Sequence, residues 1–286
     1  MPSAEAAAVD RRAALQPREF TNTYVRALKP VVITNVIDAS SSLTRWTPEF
    51  FRQRYGSRSV TIDGVAYQFS DLIDRIVAST AAKPAPYFRN VLIDEWAPEL
   101  MTDILPLPPY TRPNWLDSRF FPERPSLTSV ELYIGGAGAA FPVLHFDNLH
   151  THAFLLQVYG SKEYVFYSPD QSAVLYPRPG SEANKSSVND IEHPALDRFP
   201  LFARAIATRC TLRAGELLFV PSGWWHTARI LEPSITVSAN TVNASNWRPF
   251  LSDYIAGARR HRPRWRRVLP AYLRLFGVLG YLASLC

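Results

Sequence analysis

Leu144-His145-Phe146-Asp147 places an imidazole and a carboxylate two positions apart. On a strand, side chains so spaced project from one face and can take adjacent positions on one metal ion. Farther along, Gly215-Glu216 and Leu217–Val220 read as a strand. Pro221-Ser222-Gly223 reads as a tight turn, and Trp224-Trp225-His226 returns a second imidazole on its far side. Two His and one carboxylate on one face of a metal leave roughly three positions open, as in non-haem iron(II) oxygenases. A single Asp leaves iron(II) with residual positive charge, which favours a dianionic co-substrate chelating through a 2-oxo acid. Each half alone carries little, because His-x-Asp is a common pair and a lone His in a barrel is ordinary packing. Their combination points to iron held by His145, Asp147 and His226.

Several motifs occur in a fixed order: His145-Phe146-Asp147; Gly160-Ser161-Lys162 before an aromatic strand ending Ser168-Pro169-Asp170; Gly215-Glu216; and Pro221-Ser222-Gly223-Trp224-Trp225-His226. In order, spacing and turn chemistry they resemble the cupin-like Jumonji-C oxygenases, over roughly residues 19–250. The resemblance implies a mainly β, double-stranded β-helix (jelly-roll) domain with flanking helices, using iron(II), 2-oxoglutarate and dioxygen. It also implies that Lys162 binds the distal carboxylate of 2-oxoglutarate. A buried Lys needs an anionic partner, and that ligand supplies one. The family places further co-substrate contacts on the strand after the distal His, and Ser238 and Asn240 match those places. Many relatives add an amide or hydroxyl between the His-x-Asp and the Lys. Here the stretch is Thr151-His152-Ala153-Phe154-Leu155, which leaves Thr151 or Gln157 to replace that contact, with Tyr133 a further candidate. His150 and His152 are expected to be exposed loop residues. Trp224, Trp225 and Phe146 either restrict solvent at the metal or form ordinary core.

The elements that must position these groups are short strands. Val130–Ile134, Phe154–Val158, Tyr164–Tyr167, Leu217–Val220 and Ile235–Val237 are separated by Gly, Pro, Ser and Asp turn signals. That pattern suits a sandwich or closed barrel and disfavours parallel α/β. In Ser234–Asn240, Ser234, Thr236, Ser238 and Asn240 share one face, so a polar face meets water or lines a polar pocket. Before this region, Val31–Thr34 reads as a strand. Thr47 caps a helix with Pro48 at its first position, and Ser70 is expected to cap another. Pro-rich residues 106–126 are expected to be a surface connection, and 178–208 an insertion with a short helix.

The chain is long enough for one β domain with helices and requires no second. Residues 1–18 are expected to be a poorly ordered tail, 19–256 the oxygenase domain, and 257–286 a basic and then apolar helical tail. Two Cys, one of them the last residue, imply no disulfide framework, and the reading is a cytoplasmic, reducing compartment. The formal charge of +6 resides in residues 257–286, which hold seven Arg and no acid; the remainder has a formal charge of −1. Such a tail suits homodimerisation through a C-terminal helix, or association with an anionic membrane surface. Nucleic acid ranks third, since no stacking platform is evident. As substrate, a protein or peptide side chain comes first. A small molecule or lipid-linked sugar comes second, and a non-catalytic cupin binding module is the remaining alternative.

Overall fold

Alternating apolar positions and frequent turn residues build short strands rather than long helices. The computed structural model describes residues 8–121, 129–261 and 268–283. Its strands are β1 (Asp10–Ala13), β2 (Val31–Thr34), β3 (Ser59–Ile62), β4 (Val65–Gln68), β5 (Phe88–Leu92), β6 (Glu131–Gly135), β7 (His152–Tyr159), β8 (Ser161–Tyr167), β9 (Thr208–Arg213), β10 (Leu217–Val220), β11 (Trp225–Ile230) and β12 (Ser234–Thr241). The helices are α1 (Pro17–Phe20), α2 (Pro48–Tyr55), α3 (Phe69–Val77), α4 (Ile93–Trp96), α5 (Met101–Ile104), α6 (Trp247–His261) and α7 (Val268–Ala283).

The large sheet runs β1-β2-β10-β7-β12-β6-β5, and a second sheet runs β11-β8-β9. Every ladder except β1–β2 is antiparallel. The two sheets form a mainly β jelly-roll. Val32, Ala153, Tyr164, Phe166, Leu212, Leu218 and Val220 pack in one cluster that draws on both sheets. The outer face of the large sheet is covered by α1, α2 and α3 through a core that includes Phe20, Trp46, Phe51, Phe69, Phe154 and Phe219. At the β7–β8 corner Gly160 has φ +67°, and a Cβ there would lie 2.0 Å from Pro233 O, so only glycine fits this turn.

Several expectations need correction. Residues 10–13 are no loose tail: β1 pairs with β2, Lys29 binds Asp10 at 2.7 Å, and Leu15 is buried. Residues 1–7 lie outside the described residues. Thr47 caps α2 as expected, its Oγ1 accepting from Phe50 N at 3.1 Å, but Ser70 lies inside α3, whose cap position is Gln68. The Pro-rich connection is anchored rather than superficial, because Trp115, Leu116 and Phe121 are buried against α6 and α7; residues 122–128 lie outside the described part. Position 256 is no boundary either, since α6 continues through it. The Arg-rich stretch 259–267 is outside what can be described at side-chain level. No helix among the described residues is long and apolar enough to cross a membrane.

Candidate metal centre and its cavity

His145 and His226 are brought together by the backbone. His145 N donates to His226 O at 3.1 Å, and His226 N donates to His145 O at 2.6 Å. A directly paired position on two antiparallel segments puts both side chains on one face. His145 is not inside a long strand, as the spacing suggested, but in an isolated bridge that extends the small sheet beyond β11. One ligand atom from each of His145, Asp147 and His226 lies within 4.8 Å of the others.

The imidazoles are oriented for coordination. Nδ1 of His145 donates to Val143 O at 3.0 Å, and Nδ1 of His226 donates to Trp224 O at 3.0 Å. Each Nε2 is thereby left with its lone pair. Burial holds the His145 ring neutral, its pKa falling to about 3, with His226 adding to the effect. Burial also raises the Asp147 carboxyl, while His226 and a hydrogen bond from Asn240 oppose that rise. A cation at this point would satisfy an otherwise costly buried carboxylate. The donor set of two imidazoles and one carboxylate on one side therefore fits a divalent iron.

The cavity around these ligands has a volume of about 510 Å³ and is lined by Lys162, Tyr133, Ser238 and Asn240 as well as the three ligands. Lys162 is 1% exposed. Its Nζ donates to Tyr87 Oη at 2.9 Å and lies over the rings of Tyr87 and Tyr133 at 5.3 and 5.5 Å. Burial lowers its pKa to about 7. Among the described residues no carboxylate pairs with it, which leaves its charged form without a counter-charge in the cavity. Tyr87, on the chain before β5, was not legible in the sequence, since a single Tyr outside any motif gives no signal.

The other expected residues fall in two places. Thr236, Ser238 and Asn240 of β12 line the cavity, while Ser234 and Thr236 also bond to buried Gln157. Thr151 is fully buried behind the wall and accepts from Asn240 Nδ2 at 2.7 Å. Its place is to orient Asn240, and neither it nor Gln157 lines the cavity. The family's intervening amide position faces the cavity here through Ala153 and Leu155, both apolar.

His152 corrects the exposed-loop expectation. It is fully buried, accepts from Ser222 N through Nδ1 at 3.0 Å, and meets Ser245 Oγ through Nε2 at 2.8 Å. It therefore ties the turn before β11 to the chain leading into α6. His150 pairs with Asp253 of α6 at 2.8 Å. Leu149 and His150 have φ of 55° and 51°, and Asn246 Nδ2 holds His150 O at 2.9 Å, so α6 pins the loop that follows Asp147. Trp224, Trp225 and Phe146 do not line the cavity. Trp224 Nε1 binds Leu28 O, Trp225 Nε1 binds Ser172 Oγ, and Phe146 meets Trp225 edge-on at 5.0 Å. Residues 184–186 run beside the ligand segment, through Phe146 N to Asn184 O and Ser186 N to Leu144 O. The connection read as an insertion thus supplies Asn184 and Lys185 to the cavity wall; its helical pieces are short 3-10 turns, and Lys185 and Ser186 form isolated β-bridges.

Comparison with known proteins agrees with this geometry. A family profile described as Cupin-like domain matches residues 17–243. The chain is 30% identical over 232 residues to Lysine-specific demethylase 8 of Danio rerio, covering 77% of this chain and 54% of that protein. It is 27% identical over 228 residues to tRNA wybutosine-synthesizing protein 5 of Gallus gallus, covering 73% and 69%. It is 36% identical over 138 residues to HSPB1-associated protein 1 of Rattus norvegicus, covering 48% and 27%. The chain spans about half the length of the first curated relatives it matches, 54% and 49%.

Proposed function

Because the chain belongs to the cupin-like Jumonji-C family, we propose that it is an iron(II)- and 2-oxoglutarate-dependent oxygenase that hydroxylates an unactivated C–H on a protein or peptide side chain. The observation that carries the reading is a buried Lys162 without an acidic partner, facing the same cavity as a His-Asp-His set. His145, Asp147 and His226 are the proposed iron ligands. Lys162 and Tyr87 are assigned to the distal carboxylate of 2-oxoglutarate, and Tyr133, Ser238 and Asn240 to the cavity wall around it. Bound iron(II) would couple reduction of dioxygen to decarboxylation of 2-oxoglutarate, giving succinate, carbon dioxide and a hydroxylated carbon.

The chain's own residues orient and exclude. Val143 O and Trp224 O fix the imidazole tautomers, and Thr151 holds Asn240 beside Asp147. The Phe146–Trp225 contact braces the ligand segment. Demethylation is the same chemistry on an N-methyl carbon and ranks below hydroxylation. A small-molecule or lipid-linked sugar substrate is the second reading. It draws on the outer face of α7, where Leu275, Val278 and Leu279 are exposed. Anaerobic titration of the iron-loaded protein with 2-oxoglutarate tests the proposal by its metal-to-ligand absorption band, followed by substrate-dependent succinate release. No 2-oxoglutarate binding in protein that retains iron would sink it.

A further inference from the structure

We infer that Asn246 is a positioning residue for the metal centre: its buried carboxamide closes a hydrogen-bond chain that fixes the loop after Asp147 against the turn that delivers His226. The inference rests on the reading of His145, Asp147 and His226 as metal ligands and adds what sets their spacing. The two imidazoles need no such device, because the backbone pairs His145 directly with His226. The carboxylate does need one. After Asp147 the chain turns through Leu149 and His150, both in the left-handed region at φ 55° and 51°. That conformation is unfavourable for residues with a Cβ, and it persists where the surrounding structure enforces it.

The entry to α6 supplies that enforcement. Asn246 is fully buried. Its Nδ2 donates to His150 O at 2.9 Å and to Thr241 O at 3.1 Å, and its Oδ1 accepts from Asn243 N at 2.8 Å. The position needs two donors and one acceptor on one short side chain, which a carboxamide offers and a carboxylate does not. A carboxylate there would set its oxygen against two carbonyl oxygens. Asn243 carries the chain onward, its Oδ1 accepting from Ser245 N at 3.0 Å and from Ser245 Oγ at 2.7 Å. The Ser245 hydroxyl hydrogen is thereby committed, so Ser245 Oγ accepts from His152 Nε2 at 2.8 Å, and His152 Nδ1 accepts from Ser222 N at 3.0 Å. The chain therefore runs from Ser222, four residues before His226, to His150, three residues after Asp147. Each hydrogen in it has one acceptor, and a buried network satisfied in this way specifies a single arrangement. Farther along α6, Asp253 adds a contact to His150 Nδ1 at 2.8 Å.

The test titrates full-length protein with cobalt(II), whose visible absorption reads both affinity and coordination geometry. Asn246→Asp should weaken cobalt(II) binding by at least about fivefold, the lower end of coupling between linked sites, and should change the shape of the absorption band. Ser245→Ala breaks the chain at a second point and should do the same, whereas Ser245→Thr keeps the hydroxyl and should bind as wild type does. Leu72→Ala, buried in α3 and outside the chain, controls for lost stability alone: its unfolding midpoint should fall while its cobalt(II) affinity and spectrum stay those of wild type. Should Asn246→Asp not fold, the two Ser245 variants decide. Wild-type affinity and spectrum in Ser245→Ala, equal impairment of Ser245→Thr and Ser245→Ala, or a loss in Leu72→Ala as large as that in Ser245→Ala overturns the inference. Failure of the wild-type protein to bind cobalt(II) overturns instead the ligand reading on which the inference stands.

Discussion

The pH dependence of 2-oxoglutarate binding should report Lys162 directly. In the ligand-free protein burial brings this ammonium to about 7. Measured against an ordinary Lys, that is about 4–5 kcal/mol of lost solvation at about 1.36 kcal/mol per pH unit. A dianionic ligand binds the protonated form and restores its ordinary titration. The sign follows. Below pH 7 Lys162 is charged before binding, and affinity is flat. Above pH 7 binding must first take up a proton, so affinity falls by about tenfold per pH unit until the bound-state pKa is reached. Calorimetry of manganese-loaded protein between pH 6.5 and 9, in two buffers of different ionisation enthalpy, reads both the affinity and about one proton taken up at the alkaline end. Lys162→Ala should weaken binding by about 10- to 150-fold at pH 6.5, the worth of one charged hydrogen bond, and should make the profile flat. Apo Lys162→Met should be more stable than wild type below pH 7, with the difference shrinking as pH rises through 7 toward 10, because only the wild type holds a buried ammonium. A flat wild-type affinity, or a Lys162→Ala protein with unchanged affinity, would falsify the assignment of Lys162 to the co-substrate.

His145→Ala, Asp147→Ala and His226→Ala should each abolish stoichiometric iron, read by metal analysis after dialysis, and reduce succinate to background; full succinate release by any of them refutes the ligand set. His152 is held neutral by burial at about 3, below its unfolded value near 6.5. Its contribution to stability should therefore be complete above about 6.5 and decline as pH falls toward 3. His152→Ala should cost about 1–3 kcal/mol, because Ser222 N–H loses its buried acceptor, and it should shallow the acid side of a urea-denaturation profile; an unchanged midpoint would contradict this. At Gly277 an added Cβ would lie 1.9 Å from Trp247 Nε1. Gly277→Val should then lift α7 from the body at a cost of about 1–3 kcal/mol, seen as faster amide exchange across residues 268–283. For association we propose self-pairing through the outer face of α7. Leu275→Lys with Val278→Lys and Leu279→Lys should turn a dimer into a monomer by sedimentation, and a wild-type monomer that pellets with anionic vesicles would favour the membrane instead.

What could be read from the sequence was local. His145 and Asp147 are two positions apart, and the turn 221–223 delivers His226; both follow from extended geometry and turn chemistry, which depend on neighbouring residues. The same holds for the polar face of β12 and the cap at Thr47, because alternation and capping are set within a few residues. Tertiary structure decided whatever joins distant segments. Tyr87 meets Lys162 across 75 residues, Asn184 docks on Phe146 across 38, and Asn90 meets Tyr133 across 43. No period or motif links such positions, since their proximity is produced by closure of the two sheets. His152 shows the limit most plainly. In sequence it sits beside a turn and looks solvated, yet the hydrogen bonds that make its burial tolerable come from Ser222 and Ser245, groups that only the folded chain brings within reach.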